Sequence, residues 1–378
     1  MTQSTNSSRG GRSRSTASVP AATPPVRPAT AVDNGVALVL GGGGAVGIAY
    51  HCGVLRALEE VGGLDVRACR VIIGTSAGAV VGAEMRLGRS YEDIVALAGG
   101  DEPSTGLDAL KPPPVMAPAW QSRADLYRRV VGSTWSVSRA LFRIPLPQPP
   151  KAVQRLFPPA LFSLDDEVWA AHGIPEEWPE GRLWLVTVDI DTGRRVVLKQ
   201  PTSPAQTGTL RQGIAASTAV PALYPPVHVG KRRLVDGGVH SPTSLDLAAR
   251  TDCGTVVCVA PMAFDPARPP GAIGAISRNR FNSQLDREAG VVRRAGADVL
   301  LIRPCGDELK LHNVNLLRRA GNEAVMHAAY EATAVQLSSR HAHQVLAPAR
   351  AAQDAAFASR AAHVATSSPA AALARTAG

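Results

Sequence analysis

Short uncharged runs and longer amphipathic ones alternate along this chain. Gly35-Val36-Ala37-Leu38-Val39-Leu40 holds no charge and several β formers, the pattern of a strand buried on both faces. Gly41 to Gly44 break it. Residues 45–61 then set Leu55, Leu58 and Val61 at helical spacing, with Arg56, Glu59 and Glu60 on another face. Gly62-Gly63 closes that helix, and a second apolar run, Val71-Ile72-Ile73, follows. Strand, helix, strand in this order predicts two parallel strands with the helix as crossover. Further helices are predicted over 77–87, 91–97 and 210–216, and a long amphipathic one over 316–340. Further strands are predicted over 183–188, 232–235, 255–259 and 299–302, with 194–199 folding back on 183–188 across Asp191-Thr192-Gly193. The class is α/β, with parallel strands at its start.

Three stretches depart from this texture. Residues 1–34 are rich in Ser, Thr, Arg and Pro and read as a disordered polar tail. Residues 100–180 are interrupted by Pro112-Pro113-Pro114, Pro145, Pro147, Pro149-Pro150 and Pro158-Pro159 and carry four of the five tryptophans, which reads as an insertion or cap over the sheet edge. Residues 347–378 form an Ala/Ser/Arg-rich C-terminal tail, helical to His363 and disordered beyond. One α/β domain over 35–346 is left, with no internal repeat.

The formal charge is +9, but the two ends hold more than half of it, and the mild excess in the middle is compatible with an anionic surface as partner. Between Gln121 and Phe157, seven Lys/Arg and one acid interleave with Leu126, Tyr127, Trp135, Leu141, Phe142 and Phe157. That suits docking of 121–157 to an anionic lipid surface, and equally a cap packed on the sheet with solvated arginines. There is no nucleic-acid recognition motif. The five cysteines are scattered without zinc-site spacing, which predicts reduced, buried thiols. No apolar run is long enough to cross a bilayer, and the N-terminus lacks the apolar segment of a secretory signal. These features predict a cytoplasmic protein whose membrane contact is peripheral; oligomeric state is not readable.

Chemistry enters at Gly74-Thr75-Ser76-Ala77-Gly78. A strand, a sharp turn and a helix are the setting that makes Gly-x-Ser-x-Gly a nucleophile elbow. The turn forces the serine into a tight backbone conformation, the flanking glycines remove clashes, and the helix N-terminus points at the hydroxyl. A serine nucleophile also needs oxyanion donors and a base. Gly41-Gly42-Gly43-Gly44-Ala45-Val46-Gly47, between a strand and a helix, offers backbone N–H groups that can converge on an anion. The same loop matches the dinucleotide fingerprint Gly-x-Gly-x-x-Gly, but the next strand ends in Gly74-Thr75-Ser76 instead of an acid, and Asp65 precedes it. Two adjacent glycine-rich strand ends, one bearing a serine, favour an oxyanion hole. For the base, Asp236 ends the apolar Leu234-Val235 and precedes Gly237-Gly238, so it occupies a strand's carboxyl end, where open α/β sheets build their sites. The nine histidines offer no convincing partner: His228 and His240 flank the Asp236 strand, and His312 is expected in a polar loop.

The order of these three motifs resembles the patatin-like phospholipases. The resemblance runs from about Val36 to Ala260 and includes 40–58 around the loop, 73–82 around the serine, and Ala216-Ser217-Thr218-Ala219-Val220-Pro221-Ala222-Leu223-Tyr224-Pro225-Pro226 leading into the Asp236 strand. It implies a three-layer α/β/α sandwich with a mostly parallel central sheet. It implies a catalytic dyad, Ser76 as nucleophile and Asp236 as its direct base, and an oxyanion hole from Gly42, Gly43 and Gly44. Gly41, Gly47, Gly74, Gly78, Gly237 and Gly238 would support the motifs. The implied activity is hydrolysis of carboxylic esters of phospholipids or acylglycerols, with no metal or cofactor. A carboxylate is a weak base for serine, so Asp236 would have to be partly desolvated and its pKa raised. Three departures mark this chain: Val46 where family loops usually carry Arg or Lys, one extra residue between Gly47 and Gly53, and Ser241-Pro242 in place of Asn-Pro. The rival readings are a catalytically weak lipid-binding or regulatory protein on the same fold, favoured by Val46, and a nucleotide-binding α/β protein.

Overall fold

Successive residues of β1 (Asp33–Leu40) enter two different cores, which makes it the middle of a sheet covered on both faces. Val36, Leu38 and Leu40 pack on one side and Ala37 and Val39 on the other, all buried. This computed structural model describes residues 33–99, 121–131, 160–163, 166–201, 208–312 and 321–367. After β1 come α1 (Gly44–Glu60), β2 (Val71–Thr75), α2 (Ala77–Arg86), α3 (Tyr91–Leu97), α4 (Asp166–Ala171), β3 (Arg182–Asp189), β4 (Arg195–Lys199) and α5 (Leu210–Thr218). Then follow β5 (Val227–Val229), β6 (Arg232–Asp236), β7 (Cys253–Val259), α6 (Ala272–Arg294), β8 (Asp298–Ile302), α7 (Gly306–His312), α8 (Asn322–Leu337) and α9 (Arg340–Ser367). Short 3-10 turns cover Gly237–Val239 and Leu245–Arg250.

The sheet runs β5-β6-β3-β2-β1-β7-β8, with β4 also on β3. β3, β2, β1, β7 and β8 are parallel, and β4, β5 and β6 join by antiparallel pairing. One face carries α1, α2, α3, α5, α8 and α9, through residues such as Leu55, Val81, Ile94, Ile214, Val325 and Leu346. The other carries the 245–250 turn and α6, whose Leu285, Ala289 and Val292 recur at helical spacing against Val39 and Ile73. Burying each such large apolar side chain contributes about 1.5–3 kcal/mol. The architecture is a three-layer α/β/α sandwich.

One irregularity of the sheet positions the site. β3 pairs with β2 up to Thr75↔Val186, with β6 from Asp236↔Thr187 onward, and with β4 from Trp184 to Val188. Residues 184–186 face both β2 and β4, and residues 187–188 face both β4 and β6. A strand has two edges, so β2 and β6 share one of them, running towards each other. The carboxyl ends of β2 and β6 therefore abut at Val186 and Thr187.

Several boundaries differ from those predicted. α6 was not expected: its first half, Ala272 to Arg280, is rich in Gly, Ser, Asn and Arg, and only its second half has an apolar stripe. α8 ends at Leu337 and α9 begins at Arg340, so the helix predicted over 316–340 is interrupted by Ser338-Ser339; residues 313–320 lie outside the described ones. The boundary drawn after residue 346 falls inside α9, where Leu346 and Ala349 are buried and the Gln353 amide exchanges bonds with the Asp65 backbone. Of the basic segment 121–157, only 121–131 is described. There Tyr127 is 68% exposed, whereas Arg129 is committed to Asp125 and the Ala160 carbonyl. All five cysteines are free and buried. Among the described residues no helix is long and apolar enough to cross a membrane.

Candidate active site

Ser76 is the residue between β2 and α2, with φ 53° and ψ −119°. A positive φ on a residue with a Cβ costs about 1–3 kcal/mol and persists only where its surroundings enforce it. Here they do. The Ser76 N–H donates to Ser217 Oγ at 3.1 Å, and the Ser217 hydroxyl donates to the Val186 carbonyl at 2.8 Å. On the other side of the turn the Gly78 N–H donates to the Gly41 carbonyl at 3.1 Å. A Cβ at Gly78 would lie 2.0 Å from the Leu40 carbonyl oxygen, so only glycine lets α2 leave β2 this close to β1.

The abutting strand ends bring Asp236 to Ser76. The Ser76 hydroxyl approaches the Asp236 carboxylate closely enough to favour its charged form, and Asp236 Oδ1 accepts the Gly238 N–H at 2.7 Å. Asp236 is 4% exposed, and burial pushes its pKa up to about 6 against the opposing pull of the Gly238 N–H and the Ser76 hydroxyl. Among the described residues no histidine hydrogen-bonds either side chain. His228 lies exposed on β5, and His312 is buried edge-on to Tyr50.

The glycine loop splits into two functions. Gly41 N–H donates to the Val259 carbonyl at 2.9 Å and Gly42 N–H to the Pro242 carbonyl at 2.7 Å, so both amides are already used. Gly42, expected to donate to an oxyanion, braces the loop in this structure. Gly43 and Gly44 N–H groups have no acceptor among the described residues, nor does the N–H of Ala77, the first residue of α2. Gly44 has φ +62°, the left-handed turn that opens α1. Gly47 on α1 and Ala77 on α2 pack together, an ideal Cβ at Gly47 lying 3.4 Å from Ala77 Cβ. Two helix N-termini, neither with an acid in its first turn, thus sit side by side beside Ser76. The remaining motif glycines mark close approaches, Gly74 to Gly78 and Gly237 to the Val186 carbonyl.

Residues to which the sequence assigned no role hold this arrangement. His51 is buried in α1, and its Nε2 lies 2.7 Å from the Gly41 carbonyl. Burial lowers its pKa to about 4, and a carbonyl can only accept, so neutral His51 donates through Nε2. Ser241 Oγ accepts the N–H groups of Thr243 and Ser244 at 3.3 and 2.9 Å, a turn an asparagine side chain would also close. Glu288 on α6 accepts the Thr243 hydroxyl and the Leu245 N–H at 2.9 and 2.8 Å, and Gln284 bonds both Glu288 and the His240 carbonyl. Val46, the apolar residue in the loop, is buried in the core. A His or Glu inside a helix carries no periodic signal that separates a buried strut from a solvated side chain. Ser217, within the stretch leading to Asp236, and Ser241, in place of an asparagine, fell inside recognised motifs.

The profile of the patatin-like phospholipase family matches residues 38–249. Curated relatives are uncharacterised NTE family proteins of Mycobacterium tuberculosis and Mycobacterium bovis, 28% identical over 226 residues, which is 59% of this chain and 29% of theirs. The chain thus spans less than a third of the curated relatives it matches. Among solved structures, VipD from Legionella pneumophila aligns over 81% of this chain and 67% of its own, with a TM-score of 0.38 and 16% identity. The type III effector protein ExoU aligns over 80% and 53%, with a TM-score of 0.30 and 17% identity. With more than half of its length matched by the family profile and the motifs gathered at one sheet edge, this chain belongs to the patatin-like phospholipase family.

Proposed function

We propose that this protein is a lipid acyl hydrolase that cleaves carboxylic esters through an acyl-enzyme on Ser76, with Asp236 as the base. The observation that carries the reading is the approach of a strained, partly accessible Ser76 hydroxyl to a buried Asp236 carboxylate whose pKa is raised to about 6. Asp236 takes the serine proton as Oγ attacks the ester carbonyl. The tetrahedral oxyanion is held by the N–H groups of Gly43, Gly44 and Ala77, and collapse expels the alcohol with the proton Asp236 took. A water activated by Asp236 then releases the acid. Each oxyanion donor is worth about 2.7–4 kcal/mol in comparable sites. Exposed Tyr127 and Val130 beside Arg128 suit peripheral contact with an anionic lipid surface during this reaction. Labelling by a fluorophosphonate tests the chemistry. Modification at Ser76, with ester hydrolysis lost in Ser76→Ala and Asp236→Asn, is expected; an intact Ser76→Ala protein that hydrolyses esters normally overturns it.

A further inference from the structure

α6 packs its second half on the sheet, and its Phe281 and Leu285 reach the glycine loop. Against the glycine loop lies a small cleft lined by Gly42, Pro242, Pro261, Ala263, Phe281 and Leu285. One turn before Phe281, Arg278 is largely withdrawn from solvent. Its Nη1 donates to the carbonyls of Pro261 and Ala263 at 3.0 and 3.4 Å, which fixes the guanidinium on the cleft's own backbone. Pro261 in turn touches the oxyanion loop, with an ideal Cβ at Gly43 lying 3.0 Å from Pro261 Cβ. Among the described residues no carboxylate pairs with Arg278, and its Nε and Nη2 hydrogens have no protein acceptor. Arg195 and Arg303, by contrast, pair with Asp246 and Asp286. A desolvated guanidinium with spare forked donors, held rigid beside an oxyanion hole, is built to receive oxygens of an anion.

We propose that Arg278 binds the phosphodiester of the lipid whose ester carbonyl lies at Ser76. The proposal rests on the acyl-hydrolase reading and adds a head-group site on α6. Val46 leaves the loop itself without a cation, and Arg278 supplies one from α6.

The test compares Arg278→Gln and Arg278→Lys with the unaltered chain on dihexanoylphosphatidylcholine and on p-nitrophenyl butyrate, which has no phosphate. Loss of one charge-assisted contact predicts a drop of roughly ten- to a hundredfold in kcat/KM for the phospholipid in the Gln variant, with partial recovery in Lys and the neutral ester within about twofold. Equal loss on both substrates, or no loss on the phospholipid, overturns the proposal. Titration of dihexanoylphosphatidylcholine into Ser76→Ala protein, with and without Arg278→Gln, reads the contact without turnover. Weaker binding in the double variant supports it, and unchanged binding overturns it. Inhibition by inorganic phosphate that disappears in Arg278→Gln while phospholipid hydrolysis stays intact assigns the arginine to free phosphate instead and also overturns it. If Ser76→Ala proves fully active, the hydrolase reading fails while the titration still scores Arg278.

Discussion

The Gly42 N–H donates to the Pro242 carbonyl at 2.7 Å, and this bond ties the loop after β1 to the loop after the Asp236 strand. Glu288 holds the second loop from α6. Glu288→Ala orphans the Thr243 hydroxyl and the Leu245 N–H, so a loss of about 2–3 kcal/mol in unfolding free energy is expected. The kcat for ester hydrolysis should fall with KM little changed, because both loops carry site residues. Denaturant unfolding and steady-state kinetics check the two together.

The proposed base works only when ionised. With its pKa raised to about 6 by burial, the rate on a neutral ester should climb as pH rises through that value and level off above it. A kcat/KM profile that is flat across about three pH units around that pKa contradicts the assignment.

The same shift has a cost in stability. A carboxyl whose pKa is raised on folding holds its proton more tightly in the native state, so its contribution is full below its ordinary value of 3.8 and is lost as pH rises through about 6. Asp236→Asn cannot ionise. At neutral pH it should therefore unfold about 1–3 kcal/mol less readily than the unaltered protein. The difference should close in acid, which paired melts across pH will reveal.

His51 is expected to act as a strut. His51→Ala removes the donor to Gly41 and leaves a buried gap, at a cost of about 2–4 kcal/mol, whereas His51→Gln can restore a donor in part. Because His51 titrates near 4, neither variant should move the acid limb set by Asp236. A limb that shifts in His51→Gln would give the imidazole a part in the chemistry.

Backbone strain at Ser76 can be separated from loss of its hydroxyl. Ser76→Ala keeps a Cβ at φ 53° and Ser76→Gly does not. The glycine variant should be more stable than the alanine variant by about 1 kcal/mol, both being inactive. Matched thermal melts are the measurement.

Most strands were legible because their uncharged runs, such as Val36 to Leu40 and Val256 to Val259, are buried on both faces. The elbow, glycine loop and Asp236 were legible because each is short, local and glycine-marked. α6 was not, since its first half faces solvent and so needs no apolar stripe. The bond from Gly42 to Pro242 was not legible, because a loop sequence does not say which amides face inward and Pro242 lies two hundred residues on. Ser241 looked like a departure, yet its hydroxyl closes the turn that an asparagine would.

Ser76 and Asp236 meet only because β2 and β6 abut on one edge of β3, and β3 lies between them in the chain. Local folding cannot join them. During refolding, helical signal should return before the serine has its carboxylate, since pairings of such sequence separation form late. A nascent or cleaved chain ending before β6 would carry the proposed nucleophile without its base. Completion of the sheet, and not the presence of the serine, is the event that would turn the chemistry on.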